Sequence, residues 1–287
     1  MTYLFQSILN GILAGCIYAL FAMGLTLIYG VLNFINFAHG EIIMWSAYFL
    51  FLLMVKPFEL PLAVALAPSL FLAALLGMGM DRVVFRPLRQ ANRLTLLIAA
   101  LGLSFFLRNG AQLFWGAEIR TYGFEIKRGL RFLGISLTIN QVAIILTSLL
   151  CVLLVYLLFY RSRLGKSMRA VSDNLELARI MGIDSKRAIM TAWVMASVLA
   201  GAGGILLALD TNLHPEMGLI NLVKAFAATL LGGVGNLWGA LLGGLVIGLA
   251  ENLGVLVIST GYKDAIAFGI MVLMLLIRPS VIIGDKE

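Results

Sequence analysis

The sequence has 287 residues, of which 61% are hydrophobic and only 12% are charged, with a mean hydropathy of +1.01. A soluble globular domain carries roughly 25% charged residues, so this composition excludes one. The formal net charge of +7 does not indicate a nucleic-acid partner, because the basic residues lie in loops between apolar runs, where they orient a membrane protein.

Apolar runs predict the membrane-spanning helices in chain order. The eight stronger runs lie near residues 5–29, 41–55, 61–80, 94–114, 139–160, 190–209, 236–258 and 263–278. A weaker run, Leu219–Leu231, is shorter than the ~17 residues of a usual crossing and predicts either a crossing or a re-entrant segment. We expect one all-α domain over residues 1–287, a polytopic bundle of about eight spans with no room for a separate soluble domain.

Basic residues in the loops predict which helix ends face the cytoplasm. Four arginines lie in residues 82–93, and seven lysines and arginines lie in residues 161–187. Two spans separate these loops, so both are predicted to be cytoplasmic. Arg278 and Lys286 favour a cytoplasmic C-terminus, and the side of the N-terminus then depends on whether Leu219–Leu231 crosses.

An amphipathic segment occupies residues 165–184, between two apolar runs. Its apolar residues are three or four positions apart and charged residues lie between them, the spacing of a helix with one apolar face. Asp173 and Glu176 resemble a capping box, and Gly182 suits the position just past a helix end, so we expect a stiff helix of about two turns. Such a helix indicates a contact surface for another protein.

Polar residues also occur within or beside the apolar runs. Residues 33–41 contain four polar side chains, which are Asn33, Asn36, His39 and Glu41. Polar groups at membrane depth are costly unless they are paired or wetted, so this stretch is either a loop among lipid headgroups or the lining of a polar cavity. The same argument applies to Arg108, Lys224, Glu251 and Asn252. Lys224 and Glu251 are candidates for an ion pair.

Glycines are concentrated late in the chain, and Gly235, Gly239 and Gly243 are spaced four apart. This spacing predicts close helix packing on one face, and beside a short segment it also suits a broken helix near a substrate path.

The sequence lacks complete motifs for catalysis, nucleotide binding or metal binding. Gly165-Lys166-Ser167 matches the end of a phosphate-binding loop, but Tyr160 stands where the earlier glycine is required. His39 and His214 have no ligand spacing around them. We therefore expect no catalytic residue, no metal site and no cofactor bound by this chain.

Four stretches resemble one family, the permease subunits of bacterial ABC importers for branched-chain amino acids and related small solutes, including urea and short amides. They are residues 24–31, residues 36–41 (Asn-Phe-Ala-His-Gly-Glu), residues 164–184 and residues 231–251. The resemblance covers nearly the whole chain. It implies a multi-pass protein of the bacterial inner membrane.

The resemblance also implies partners. These are a second permease subunit, two cytoplasmic ATPase subunits that bind and hydrolyse ATP, and an extracytoplasmic solute-binding protein, besides membrane lipid. In such importers a short cytoplasmic helix lies in a groove on the ATPase. We place it within a coupling segment of about residues 161–188, with Met168, Val171, Leu175 and Met181 docking. The residues assigned to coupling are Met168, Arg169, Val171, Asp173, Leu175, Glu176, Arg179, Met181, Gly182 and Asp184.

An amino acid passing through the bundle would need paired donors and acceptors. The residues assigned to the translocation path are Asn33, Asn36, His39, Glu41, Asn236, Glu251 and Asn252. The alternatives left open are a urea or short-amide permease of the same family and a stand-alone channel or secondary transporter for a small neutral solute. The pairing of the permease, with itself or with a different chain, is also open.

Overall fold

The computed structural model describes residues 2–55, 58–123, 130–132 and 135–277. Arg278 and Lys286, which favour a cytoplasmic C-terminus in the sequence, lie outside the described residues. The helices are α1 (Thr2–Leu32), α2 (His39–Met54), α3 (Leu62–Met80), α4 (Arg93–Trp115), α5 (Ile139–Tyr156), α6 (Arg163–Asp173), α7 (Leu175–Ile180), α8 (Ser185–Asp210), α9 (Met217–Gly232), α10 (Leu237–Gly254) and α11 (Lys263–Ile277). Single π-helical turns extend α3 (Asp81–Phe85) and α5 (Leu157–Arg161). A small antiparallel hairpin, β1 (Leu130–Phe132) and β2 (Ile135–Leu137), lies between α4 and α5.

Seven of the helices in the described ranges are long and apolar enough to cross a membrane. Two of the predicted apolar runs instead form short helices, α2 and α9, of 16 residues each. At 1.5 Å per residue each is about 24 Å long, less than the ~30 Å hydrocarbon core of a bilayer. The all-α membrane bundle is confirmed, while the run at residues 41–55 is shorter as a helix than a full crossing requires.

The helices form a buried centre and an exposed periphery. In the most apolar stretches of α1 and α8, 83% and 78% of the residues are buried, against 17% in α5 and 6% in α11. The buried centre is built from α1, α2, α8, α9 and α10, which pack mainly on one another. The apolar outer faces of α3, α4, α5 and α11 are left for lipid or for another subunit.

Glycines set the closest helix crossings. A Cβ on Gly239 or Gly243 of α10 would collide with the backbone of α9, and one on Gly248 would collide with the backbone of α1 at Gly15. The close-packing prediction is therefore confirmed for Gly239 and Gly243. Gly235 differs, because it lies before α10 in the turn from α9, with φ of 87° that only glycine adopts easily.

The amphipathic segment folds as two helices, α6 and α7, rather than one. Asn174 interrupts it with an extended backbone, and its side chain caps α7 by accepting from the Leu177 amide at 2.9 Å. The predicted cap at Asp173 is wrong, since Asp173 ends α6. The prediction for Gly182 is confirmed: its φ is 78°, and the Ile183 amide bonds back to the Ala178 carbonyl at 2.9 Å, closing the C-terminus of α7.

Candidate functional site

The linker between α1 and α2 and the first residue of α2 hold three of the predicted path residues. Asn33 ends α1 with a left-handed backbone (φ 53°) and is exposed. Asn36 is fully buried; its Oδ1 accepts from the Ala38 amide at 3.1 Å, and its Nδ2 has no hydrogen-bond partner in the described chain. His39, also fully buried, packs its ring against Gly24 of α1, where a Cβ would lie 3.1 Å away.

Glu41 joins α2 to α4. Its Oε1 accepts a hydrogen bond from Ser104 and an ion-paired one from Arg108, both at 2.7 Å. The carboxylate is fully buried, and removing an ion from water at such a site is costly unless a counter-ion is present. Glu41 therefore links α2 to α4.

A second buried network joins α1, α9, α10 and α11. Lys224 lies 3.1 Å from Glu251 and 2.7 Å from Asp264, so the predicted pair of Lys224 with Glu251 is present and is extended by a second carboxylate. Tyr18 donates to Glu251 at 2.8 Å and accepts from Lys224 at 3.0 Å. One cation thus holds two carboxylates and a hydroxyl from three other helices, which fits a structural junction.

The two remaining predicted path residues have local roles. Asn252 donates to the Gly248 carbonyl at 2.8 Å and accepts from Lys263 at 3.2 Å, so it ties α10 to the start of α11. Asn236 is exposed and caps α10, accepting from the amides of Trp238 (3.1 Å) and Gly239 (3.2 Å). The seven predicted residues do not form one lining.

An apolar cavity of about 200 Å³ lies between α1, the α1–α2 linker, α9 and α11. Its walls include Leu25, Ile35, Phe37, Phe226 and Met271. None of the seven predicted path residues lines it, though Ile35 and Phe37 flank Asn36 in sequence, and the described lining exposes no polar surface. A search for polar residues could not find this site. Its signal in the sequence was the pair of apolar residues, Ile35 and Phe37, on either side of Asn36.

The helix α6 is anchored to the bundle. Met168 and Val171 are buried by the chain itself, and Ser172 donates to the carbonyl of Gly30 in α1. Arg169 donates to the carbonyl of Phe159 and lies over its ring, with 5.3 Å to the centroid. The expectation that Met168 and Val171 dock onto another subunit is not met in this conformation, because α1 and α8 cover this side of α6.

Most side chains of the helix α7 are exposed. Leu177, Ile180 and Met181 are 56%, 82% and 73% exposed, whereas Ala178 is buried and Leu175 is half-buried. The charged coupling residues Asp173, Glu176, Arg179 and Asp184 are exposed. Sequence reasoning included Met181 but missed Leu177 and Ile180. The signal was available, since positions i, i+3 and i+4 share one helix face.

The two basic loops meet at the end of the bundle that carries α6 and α7. Arg82, Arg86 and Arg89 after α3 share a pocket with Lys186 and Arg187 of α8. This places both loops on one side, as the positive-inside pattern predicts.

Comparison with known proteins identifies the family. Residues 7–275 match the family model described as the branched-chain amino acid transport system permease component. The chain is 36% identical to the high-affinity branched-chain amino acid transport system permease protein BraD of Pseudomonas aeruginosa, over 98% of this chain and 96% of BraD. It is 34% identical to the permease protein LivH of Escherichia coli K12, over 99% and 97%.

A solved structure shares the fold. PsaBC from Streptococcus pneumoniae in complex with Fab superposes with a TM-score of 0.51 at 12% identity, over 93% of this chain and 90% of the matched chain. The resemblance inferred from the four sequence stretches is confirmed by these matches. The chain belongs to the family of branched-chain amino acid transport system permease components.

Proposed function

We propose that the chain is the transmembrane subunit of an ATP-driven importer and forms the translocation path for branched-chain amino acids. The family match over residues 7–275 and the names of relatives that align over nearly their full length support this solute class. ATP is hydrolysed on two separate cytoplasmic ATPase subunits, an extracytoplasmic binding protein delivers the solute, and a second permease subunit completes the path. The complex lies in the bacterial inner membrane.

The coupling role is supported by a contrast between two helices. The helix α6 packs against the bundle, whereas α7 has an exposed apolar face. Leu177, Ile180 and Met181 form an exposed apolar face on a helix that, at the basic end of the bundle, lies outside the apolar spans. Exposed apolar residues clustered on one face are typical of protein contact sites. We assign this face to the groove of an ATPase subunit, with Asp173, Glu176 and Arg179 at its polar rim.

Movement of α7 reaches the bundle through two connections. Asp184 caps α8 directly after α7, accepting from the Arg187 amide at 3.1 Å. On the other side, α6 bonds to α1 through Ser172 and Gly30. Because α1 also lines the apolar cavity at Leu25 and Tyr29, a tilt imposed by ATPase closure changes the cavity's shape.

The apolar cavity is the proposed passage for the aliphatic side chain of the solute. Its volume of about 200 Å³ and its apolar lining suit a branched hydrocarbon group. The charged ends of an amino acid need polar partners, and of the residues expected from sequence we retain Asn36 and His39, which are buried and follow closely in sequence on the cavity-lining residues Ile35 and Phe37. An uncharged site of this kind binds weakly, so solute selection falls to the binding protein.

The coupling role is tested with Ile180→Asp in the complete complex. Burying an aspartate in the ATPase groove should cost about 2 kcal/mol, roughly 30-fold in ATPase affinity. ATPase co-purification and solute-stimulated ATP hydrolysis should both fall. The matched control is Val257→Asp, which changes a residue that is 90% exposed at the opposite end of the bundle and should leave ATPase co-purification unchanged. Normal ATPase binding by Ile180→Asp would rule out the α7 interface.

The path assignment is tested with Asn36→Ala and His39→Ala in proteoliposomes containing the whole importer. We expect slower uptake of leucine with unchanged ATPase binding. Asn109→Ala, an exposed asparagine of α4, is the control. Unchanged uptake would remove Asn36 and His39 from the path. Full-rate uptake by this chain without partner subunits would instead show a channel or secondary transporter.

A further inference from the structure

A basic pocket of about 240 Å³ lies where the end of α3 meets the start of α8. Five cationic side chains line it, together with Asp81 and the apolar residues Met78, Met190 and Trp193. The cations are Arg82, Arg86, Arg89, Lys186 and Arg187.

The charges of the basic pocket are not balanced. Arg89 donates to both carboxylate oxygens of Asp81, at 2.6 and 2.8 Å, and Arg187 pairs with Asp184 at 3.0 Å. The side chains of Arg82, Arg86 and Lys186 have neither an ion pair nor a hydrogen bond with any residue in the described ranges. Three cations therefore converge on one pocket with no protein anion to meet them.

Two of the cations occupy positions that are unfavourable for a helix. Lys186 and Arg187 lie in the first turn of α8, where the helix dipole disfavours positive charge. The pocket is nevertheless firmly built. Phe85, in the π-helical turn after α3, stacks on Trp193 of α8 with 5.3 Å between the ring centroids. Such turns are often found at functional sites.

The surroundings of the pocket point to a lipid. Val83, next to Arg82, is 74% exposed, and Met190 and Leu94 are also exposed beside the basic end of the bundle. Arginine and lysine bind phosphate oxygens, and apolar side chains next to them suit acyl chains at the same depth. A soluble anion has no acyl chains to contact these exposed apolar side chains.

We infer that the basic pocket binds the phosphate of an anionic phospholipid on the cytoplasmic side of the membrane. The bound headgroup bridges the end of α3 and the first turn of α8. Lys186 and Arg187 lie at the end of the coupling segment, and Arg187 pairs with Asp184, so the test below includes a separate readout for the ATPase subunits.

The inference is tested on the full chain purified in a neutral detergent. Phosphatidylglycerol and phosphatidylcholine with the same acyl chains are added, and bound lipid is counted by native mass spectrometry. The triple variant Arg82→Gln/Arg86→Gln/Lys186→Gln removes the three unpaired cations. At about fivefold per cation, phosphatidylglycerol affinity should fall on the order of 100-fold while phosphatidylcholine binding is unchanged.

The matched control is Arg161→Gln/Arg163→Gln/Lys166→Gln, which removes three exposed cations at the same end of the bundle outside the pocket. It should bind phosphatidylglycerol as the unmodified chain does. An equal loss in the control would reduce the effect to diffuse surface charge and overturn the site. If the triple variant is poorly folded, Arg86→Gln alone should show about a fivefold loss.

Two further arms separate lipid from other anions. Inorganic phosphate at millimolar concentration should not displace phosphatidylglycerol; displacement would show that the pocket takes a soluble phosphate. In the assembled complex, a triple variant that keeps its lipid but loses the ATPase subunits would show that the pocket meets an acidic protein surface, against our inference.

Discussion

Glu41 and Glu251 are both fully buried carboxylates inside a membrane bundle, yet they are held in different ways. Glu41 meets one cation, Arg108, and one hydroxyl, that of Ser104. Glu251 shares Lys224 with Asp264 and also accepts from Tyr18. The first contact fastens one outer helix, α4, to the centre, whereas the second joins four helices.

The difference shows how this bundle uses charge. Apolar packing gives no preference for helix association over lipid, so specific polar contacts decide which outer helix docks where. The network around Lys224 lies among the central helices and α11, while the pair of Glu41 and Arg108 lies between α2 and α4. Losing the first should loosen the whole bundle, and losing the second should loosen one helix.

Lys224→Met should have the largest effect. It leaves Glu251 buried without its cation and deprives Asp264 of its partner, so we expect a loss of about 3–5 kcal/mol in the free energy of unfolding. Thermal unfolding in detergent, followed by tryptophan fluorescence, measures it. Lys224→Met/Glu251→Gln should recover part of the loss because no unpaired charge remains. A double variant no more stable than the single one would contradict the assigned network.

Arg108→Met should cost less, about 2–3 kcal/mol, since Ser104 continues to donate to Glu41. The loss should be confined to α4, which limited proteolysis of the loop before Arg93 can detect. Lys166→Met, a change of the same type at an exposed site outside the bundle centre, is the control. Cooperative loss of the whole bundle would show that the two networks are not independent.

Tyr18→Phe should cost about 1.5–2 kcal/mol, because one hydroxyl contributes a bond to Glu251 and another to Lys224, both charged. Tyr3→Phe, at an exposed position near the start of α1, gives the baseline. Equal stabilities for the two variants would place Tyr18 outside the network.

Asp264→Asn should have the smallest effect, within about 1 kcal/mol, because the Asp264 side chain is 51% exposed and water screens its attraction to Lys224. Chemical denaturation resolves it against the unmodified chain. A loss as large as that of Lys224→Met would mean that Asp264, rather than Glu251, is the principal partner of the lysine.

Pairing across the network was only partly predictable. Lys224 and Glu251, 27 residues apart, were paired from their isolated charges in neighbouring apolar runs. Tyr18 and Glu251 are 233 residues apart, and Glu41 and Arg108 are 67 apart. The sequence around a residue does not indicate which helix will pack against it. Tyr18, Ser104 and Asp264 were therefore missed.

The composition and the lengths of apolar runs determined the class of this protein, because a segment that avoids water must lie in a bilayer or in a core. Local rules also determined single features, such as Gly182 past the end of α7, where a left-handed backbone is needed. The family could be inferred from four short stretches of sequence.

Only the tertiary structure decided which apolar surfaces are inside. The span at Ile139–Arg161 has a mean hydropathy of 2.9 and is 17% buried, while the span at Ser185–Asp210 has 2.0 and is 78% buried. Lipid is as apolar as a protein core, so hydropathy cannot separate the two. For the same reason, the local sequence did not indicate which apolar residues of the amphipathic segment would be buried and which exposed. Met168 and Val171 turned to the bundle, and Ile180 and Met181 turned away from it.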